Sequence, residues 1–323
     1  MHMNNNIYEN IIEVIKPGFF STIQDIGRFG YQQYGVSVSG AMDLYAFKIA
    51  NILVGNRKDY PCVEIYQSGA IFRFLENTVI AICGADSTPL LDGEPIDLWK
   101  SYSVRKGQTL HFSNLKSGLY TYLAVYGGTF IHPPLLGSYS TYTKAKMSNS
   151  QVLLKKGDKL KAKMLNSLGY NRRLPNSFIP NYFTKSRIRV HLGPDFHRFQ
   201  EESIIRFLSE TYYVSNKIDR MGYRLEGPKL KHKTSADLLS EAIMPGTIQV
   251  PLNGQPIILL ADRQTTGGYT RIATVTAIDL PYVVQKQPGE KISFQSISLK
   301  TARQLYIEQE RIFQILNSTR IEV

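Results

Sequence analysis

Short apolar runs of strand length, each closed by Gly, Pro, Asn or Asp, recur along the whole chain and limit what it can fold into. "NTVIAICGAD", "LYTYLAVYGGTF", "SRIRVHLGPD" and "GTIQVPLNGQPIILLAD" each join a β-branched or aromatic core to turn residues. "LDGEPI" and "LNGQPI" carry Asp92-Gly93 and Asn253-Gly254, dipeptides that accept positive φ and so favour hairpin turns. Twenty tyrosines and fifteen phenylalanines add to the β tendency.

Helical spacing appears in three places. "SGAMDLYAFKIANILVGN" brings Met42, Tyr45, Ile49 and Leu53 to one face, with Ser39 as a cap and Gly55 as a stop. "PDFHRFQEESIIRFLSE" repeats the pattern with Asp195 as its cap, and "SLKTARQLYIEQERIFQILNS" closes the chain. The expected fold is mainly β with a few helices, arranged as two β-rich halves. A polar, Pro-bearing stretch at 166–186 marks the seam. The expected divisions are therefore 10–170, 184–298 and a C-terminal helix at 299–318.

Composition narrows the class further. At 323 residues, 43% of them hydrophobic and 20% charged, the chain can build an ordinary globular core. No apolar run nears the ~18 residues of a membrane span, and no secretory leader is visible, so the expected location is the cytoplasm. Cys62 and Cys83 sit in apolar settings without metal-ligand spacing and read as buried free thiols. The net charge of +12 raises a nucleic-acid partner. However, the densest basic patch, residues 153–164, alternates Lys with Leu160, Ala162 and Met164 as a half-exposed strand does. No DNA- or RNA-binding signature accompanies it, so the patch reads as a solvated face.

Several chemical devices are absent: a phosphate loop, zinc-ligand spacing and a nucleophile elbow. "KAKM" at 144–147 is similar to the surroundings of a biotinylated lysine, but Ala145 precedes Lys146 and no carrier domain surrounds it. No covalent biotin is expected. Three polar, Gly-rich segments remain. Residues 21–43 hold Asp25, Arg28, Ser39 and Asp43, and residues 137–147 are rich in hydroxyls. In the third, an apolar run from Ile257 to Ala261 feeds directly into Asp262, Arg263, Gln264, Thr265, Thr266, Gly267 and Gly268. This reads as a hairpin turn, and two roles stay open for it. Asp262 and Arg263 form an ion pair tying the hairpin, or they belong to a ligand site. Arg suits bidentate carboxylate or phosphate contacts, glycine-flanked amides suit an anion, and Gln suits an amide. The set fits a small substrate with a carboxylate and an amide.

The blocks "PGFFSTIQDIGRFGYQQYGVSVSGAMD", "GGTFIHPPLLGSYSTYTKAK", "DRMGYRLEG", "EAIMPGTIQVPLNGQPIILLADRQTTGGYTRIATV" and "LPYVVQKQPGEKISF" resemble one family, over Ile15 to Ile297. It is the family of the C subunit of bacterial 5-oxoprolinase, also called the Kip antagonist or KipA family, the allophanate hydrolase subunit 2 family, and biotin-dependent carboxyltransferase. The resemblance implies two halves built as cyclophilin-like barrels. It implies partnership with the enzyme's B subunit (KipI-like) and its A subunit. It also implies use of ATP, with magnesium shared with the B subunit, to convert the lactam 5-oxoproline to L-glutamate. A regulatory alternative is a chain that only sequesters a B subunit that inhibits a sporulation sensor kinase. The resemblance maps motif positions onto this sequence but not residue roles. Among those positions the chemistry of the residues makes Asp262 and Arg263 the catalytic candidates, and Gln264, Thr265, Thr266, Gln249, Gln255, Asp25, Arg28, Ser39, Asp43, Asp219 and Arg220 the candidates for binding substrate or ATP. No metal ligands are expected within the chain. Two positions depart from the family pattern: Ser37 stands in place of proline and Tyr139 in place of arginine.

Overall fold

The computed structural model describes residues 8–142, 153–164 and 171–318. Lys146 and parts of the 137–147 and 166–186 segments lie outside them. The fold is mainly β with four α-helices among the described residues. The chain divides into two compact units. The first comprises Met1–Gly27, Asp43–Pro180 and Ile312–Val323, and the second Arg28–Met42 and Asn181–Arg311.

The first unit carries strands β1 (Tyr8–Pro17), β2 (Phe20–Gln24), β3 (Cys62–Tyr66), β4 (Ala70–Phe74), β5 (Thr78–Asp86), β6 (Pro89–Leu91), β7 (Glu94–Pro95), β8 (Lys100–Val104), β9 (Thr109–Phe112), β10 (Ser117–Val125) and β11 (Lys159–Lys163), with helix α1 (Leu44–Leu53). They form two sheets, ordered β11-β1-β4-β9-β6-β7 and β2-β3-β10-β5-β8. Apolar side chains from both sheets, including Ile12, Phe72, Phe74, Ile80, Ile82, Phe112 and Leu123, make one core. Each such burial stabilises by about 1.5–3 kcal/mol. The basic strand behaves as its alternation predicts: Lys159, Lys161 and Lys163 are exposed, while Leu160 and Ala162 are buried. Asp92 and Gly93, with φ of 51° and 89°, turn the β6–β7 hairpin as the dipeptide predicts. Cys62 and Cys83 are buried free thiols.

Helix α1 corrects the expected cap. Asp43 immediately precedes the helix, and its Oδ1 accepts from the Ala46 N–H at 2.9 Å. Ser39, with φ of 57°, lies too far upstream. The helix buries Ala46, Phe47, Ile49, Ala50, Ile52 and Leu53 and packs on β5 and β10.

The second unit carries β12 (Arg187–Leu192), α2 (Glu201–Ser209), β13 (Tyr212–Ile218), β14 (Gly222–Glu226), β15 (Asp237–Ala242), β16 (Thr247–Val250), β17 (Ile257–Leu259), β18 (Thr266–Val275), α3 (Leu280–Val284), β19 (Lys291–Ser296) and most of α4 (Leu299–Ser318). The sheet order is β12-β19-β13-β14-β17-β16-β18-β15, and β12 also pairs with β18. That pairing closes seven strands into a ring, with β15 added outside β18. Ile188, Val190, Ile248, Ile258, Ile272 and Ile292 have no exposed surface, and Phe207 stacks on Phe294 at 4.5 Å.

Two expectations are revised here. The predicted helix at 196–208 splits into a 3-10 turn, Phe196–Arg198, and α2, because Phe199 turns extended and is fully buried. Asp195 caps neither; its Oδ2 accepts instead from Arg271 Nε at 2.7 Å. Nor are the two strands around Asp262 a hairpin. β16 lies between β17 and β18 and pairs with both, so residues 260–265 form a crossing connection past β16.

Candidate functional site

Most of the candidate residues belong to the second unit, where the 260–265 connection is held from several sides. Arg220, in the turn between β13 and β14, donates through Nε to Asp262 Oδ2 at 2.9 Å and through Nη2 to Oδ1 at 3.0 Å. The Asp262 N–H donates to the Arg220 carbonyl at 2.8 Å, so backbone and side chain lock the two turns together. Asp262 and Arg220 are 1% and 6% exposed. A buried carboxylate matched bidentately to a guanidinium is a neutralised pair, suited to fixing geometry.

Arg263 is different. It is 9% exposed, and its guanidinium donates to two neutral carbonyls, Nε to Ile243 O at 3.1 Å and Nη1 to Leu260 O at 3.2 Å. No carboxylate among the described residues pairs with it, and burial pushes its pKa down to about 10. At neutral pH it therefore remains a cation, fixed in place by carbonyls that do not cancel its charge. With five N–H donors on a guanidinium, Nη2 and one Nη1 hydrogen have no partner among the described residues and could serve a ligand. A preorganised, uncancelled guanidinium can bind a carboxylate or a phosphoryl oxygen.

The segment Ser37–Gly40 is stitched to the same connection. Ser37 Oγ donates to the Arg263 carbonyl at 2.8 Å, and Arg220 Nη2 also donates to the Gly40 carbonyl at 2.6 Å. A proline at position 37 could not make this bond. Arg28 is completely buried, and its backbone N–H donates to Val38 O at 2.7 Å. Ser39 lies between the two anchors and is 6% exposed.

The remaining candidates of this unit are more dispersed. Gln249, 2% exposed and next to a register shift in β16, donates to Tyr269 O at 3.2 Å. Thr265 is half-buried and its carbonyl accepts from the Ile243 N–H at 3.1 Å, while Gln264 and Thr266 are exposed. Gln255 is engaged elsewhere: its amide exchanges hydrogen bonds with the backbone N–H and carbonyl of Gly227, at 3.1 and 3.0 Å. Asp219 is exposed and folds its own turn, Oδ1 accepting from the N–H groups of Met221 and Gly222.

Asp25 and Asp43 belong to the first unit. Asp25 Oδ1 accepts from Ser138 Oγ at 2.7 Å, Ser140 Oγ at 2.6 Å and the Gly27 N–H at 2.8 Å, while Oδ2 accepts from the Tyr139 N–H at 2.7 Å. The carboxylate is therefore a tie between the 25–27 and 138–140 loops. Tyr139 supplies this bond through its backbone and turns its ring to Phe130 at 5.3 Å. Asp43 Oδ1 is taken by the helix cap already described.

Ile243 and Leu260 were invisible in the sequence because they act through main-chain carbonyls, which any residue supplies. The role of Ser37 likewise needed its partner, the Arg263 carbonyl, to become visible. Among the described residues no group of three or more His, Cys, Asp or Glu is gathered as a metal site, and no helix is long and apolar enough to cross a membrane.

The β-rich fold matches a known class. Residues 34–296 match the family model described as carboxyltransferase domain, subdomain A and B, and the chain belongs to that family. Among its relatives, it is similar to the 5-oxoprolinase C subunit of Escherichia coli, 36% identical over 95% of this chain and 97% of that protein. It is equally similar to the 5-oxoprolinase C subunit of Haemophilus influenzae, 36% identical over 93% of this chain and 96% of that one. The crystal structure of the K. lactis urea amidolyase superposes with a TM-score of 0.89 at 30% identity, over 97% of this chain. This chain spans only 20% of that much longer protein, and relatives named for two different enzymes make the family broader than one reaction.

Proposed function

We propose that this chain is the C subunit of a bacterial ATP-dependent 5-oxoprolinase, acting with the A and B subunits to convert 5-oxoproline to L-glutamate. End-to-end similarity to two proteins of that name supports the reading. The observation that carries it is Arg263, a buried cation whose guanidinium is held by carbonyl groups and by no carboxylate among the described residues. 5-Oxoproline offers one carboxylate for Arg263 and a lactam on which chemistry can occur. The Arg220–Asp262 pair positions Arg263 and is not itself the reacting acid or base. An unstrained lactam resists hydrolysis. Transfer of the ATP γ-phosphoryl group to the lactam oxygen releases ADP and activates the carbon. One water adds there and the C–N bond opens to leave the acyl phosphate of glutamate, and a second water hydrolyses that to L-glutamate and phosphate. ATP and its magnesium are assigned to the assembly with the B subunit, and no covalent biotin is required.

The test is glutamate release from 5-oxoproline and ATP by the A and B subunits of the same source, with and without this chain. Release that needs the chain, and that falls in Arg263→Gln, supports the reading. Release that is the same without the chain overturns it.

A further inference from the structure

Ser39 combines two unfavourable features. Its φ of 57° lies in the left-handed region, which a non-glycine residue occupies only when its surroundings enforce it. Its hydroxyl oxygen is buried and has no hydrogen-bond partner among the described residues. Buried hydroxyls in folded proteins are ordinarily paired, because an unpaired one loses its hydration without replacement. Glycine at this position would remove both costs, so folding of the second unit alone gives no reason for serine.

The surroundings that enforce the conformation are the anchors on either side. Ser37 is tied to the Arg263 carbonyl at 2.8 Å, and Gly40 to Arg220 Nη2 at 2.6 Å. Between them, residue 39 is held beside the Asp262–Arg263 connection. The same connection carries a guanidinium that lacks a carboxylate partner among the described residues. The unit thus holds an unmatched hydroxyl and an unmatched cation on two segments bonded to each other. A ligand oxygen pair satisfies both.

We infer that the Ser39 hydroxyl is a ligand-contacting group that works with Arg263 on one small carboxylate, donating a hydrogen bond to one ligand oxygen while the guanidinium takes the other. The inference uses the site of the function proposed above but not the identity of its substrate. Backbone strain at Ser39 then has a use: it aims a short side chain that glycine, the easier residue for that conformation, could not supply.

The experiment uses the full chain, alone and with the B subunit, titrated calorimetrically with 5-oxoproline, L-proline, 2-furoate and acetate. Ser39→Gly removes the hydroxyl while suiting the backbone, so it folds without the strain that Ser39→Ala would keep, and thermal unfolding confirms that. The expected result is that Ser39→Gly weakens binding of 5-oxoproline on the order of tenfold, with an unfolding temperature at or above wild type. Arg263→Gln weakens the same ligand. If only another carboxylate binds, with the same dependence on Ser39 and Arg263, the shared site stands and the 5-oxoproline reading fails. Equal binding by wild type and Ser39→Gly, or no carboxylate bound in either setting, overturns the inference.

Discussion

Arg220 and Asp262, 42 residues apart in sequence, are joined by two side-chain hydrogen bonds of 2.9 and 3.0 Å in a nearly dry environment. Cutting such a pair leaves one buried charge without its counterpart, which costs about 3–5 kcal/mol. Asp262→Ala is therefore expected to lower the urea midpoint sharply. The double substitution Arg220→Met with Asp262→Leu recovers much of the loss, because no charge is left behind. Arg263→Gln gives the opposite pattern. It removes no ion pair among the described residues, so stability changes by about 1 kcal/mol, while KM for 5-oxoproline rises on the order of tenfold or more. Equilibrium unfolding and steady-state kinetics on the same three variants separate the positioning pair from the ligand-binding cation.

Gly222 opens β14 immediately after that arginine turn and faces Leu259 on β17. A Cβ added there would lie 2.7 Å from the Ile258 carbonyl oxygen, an atom of the ladder itself that has no side-chain freedom to yield. Gly222→Ala is expected to destabilise by about 1–3 kcal/mol through this overpacking. It also separates β14 from β17, so activity per folded molecule falls with the Arg220–Asp262 geometry. Denaturant midpoints and active-site titration of the folded fraction check both effects.

Asp25 accepts from two hydroxyls and two backbone N–H groups. Asp25→Ala strands those donors in a buried setting, with an expected loss on the order of 3 kcal/mol. Because the carboxylate has its partners within the first unit, turnover per folded molecule should change much less than the urea midpoint. A fully folded Asp25→Ala protein with abolished turnover would instead place this carboxylate in the reaction.

How far the sequence can be read depends on how local the cause is. The alternation of Lys159 to Lys163 and the positive-φ demand at Asp92-Gly93 are local, and both are legible. The connection at 260–265 resembles a hairpin in sequence because two strand-like runs flank a polar turn. What separates them is β16, inserted by long-range pairing that no local pattern encodes. The ion pair expected at Asp262 exists, but with Arg220 rather than the adjacent Arg263, since neighbouring residues on a connection face different surroundings. Ser39 and Asp43 are both good capping residues, and the contest is settled by which one adjoins the first helical turn, Asp43.

Asp279 makes stability depend on acid in a predictable direction. It has no exposed surface, and burial alone would raise its pKa. The hydrogen bonds from Arg189 and Lys185 outweigh that, at 2.6 Å each to Oδ1, and hold the carboxyl below its ordinary value. A carboxyl whose pKa is lower in the folded than the unfolded chain stabilises fully above the unfolded value, about 3.9, and loses that contribution as pH falls through the folded value. The urea stability of wild type relative to Asp279→Asn should therefore be constant from pH 7 to about 5 and shrink steadily below about 4. The two cations left facing each other in Asp279→Asn add a salt-sensitive repulsion, so raising ionic strength should narrow the gap at pH 7. A difference that stays flat down to a pH of about 2.5 would mean that Arg189 and Lys185 do not hold the carboxylate in solution.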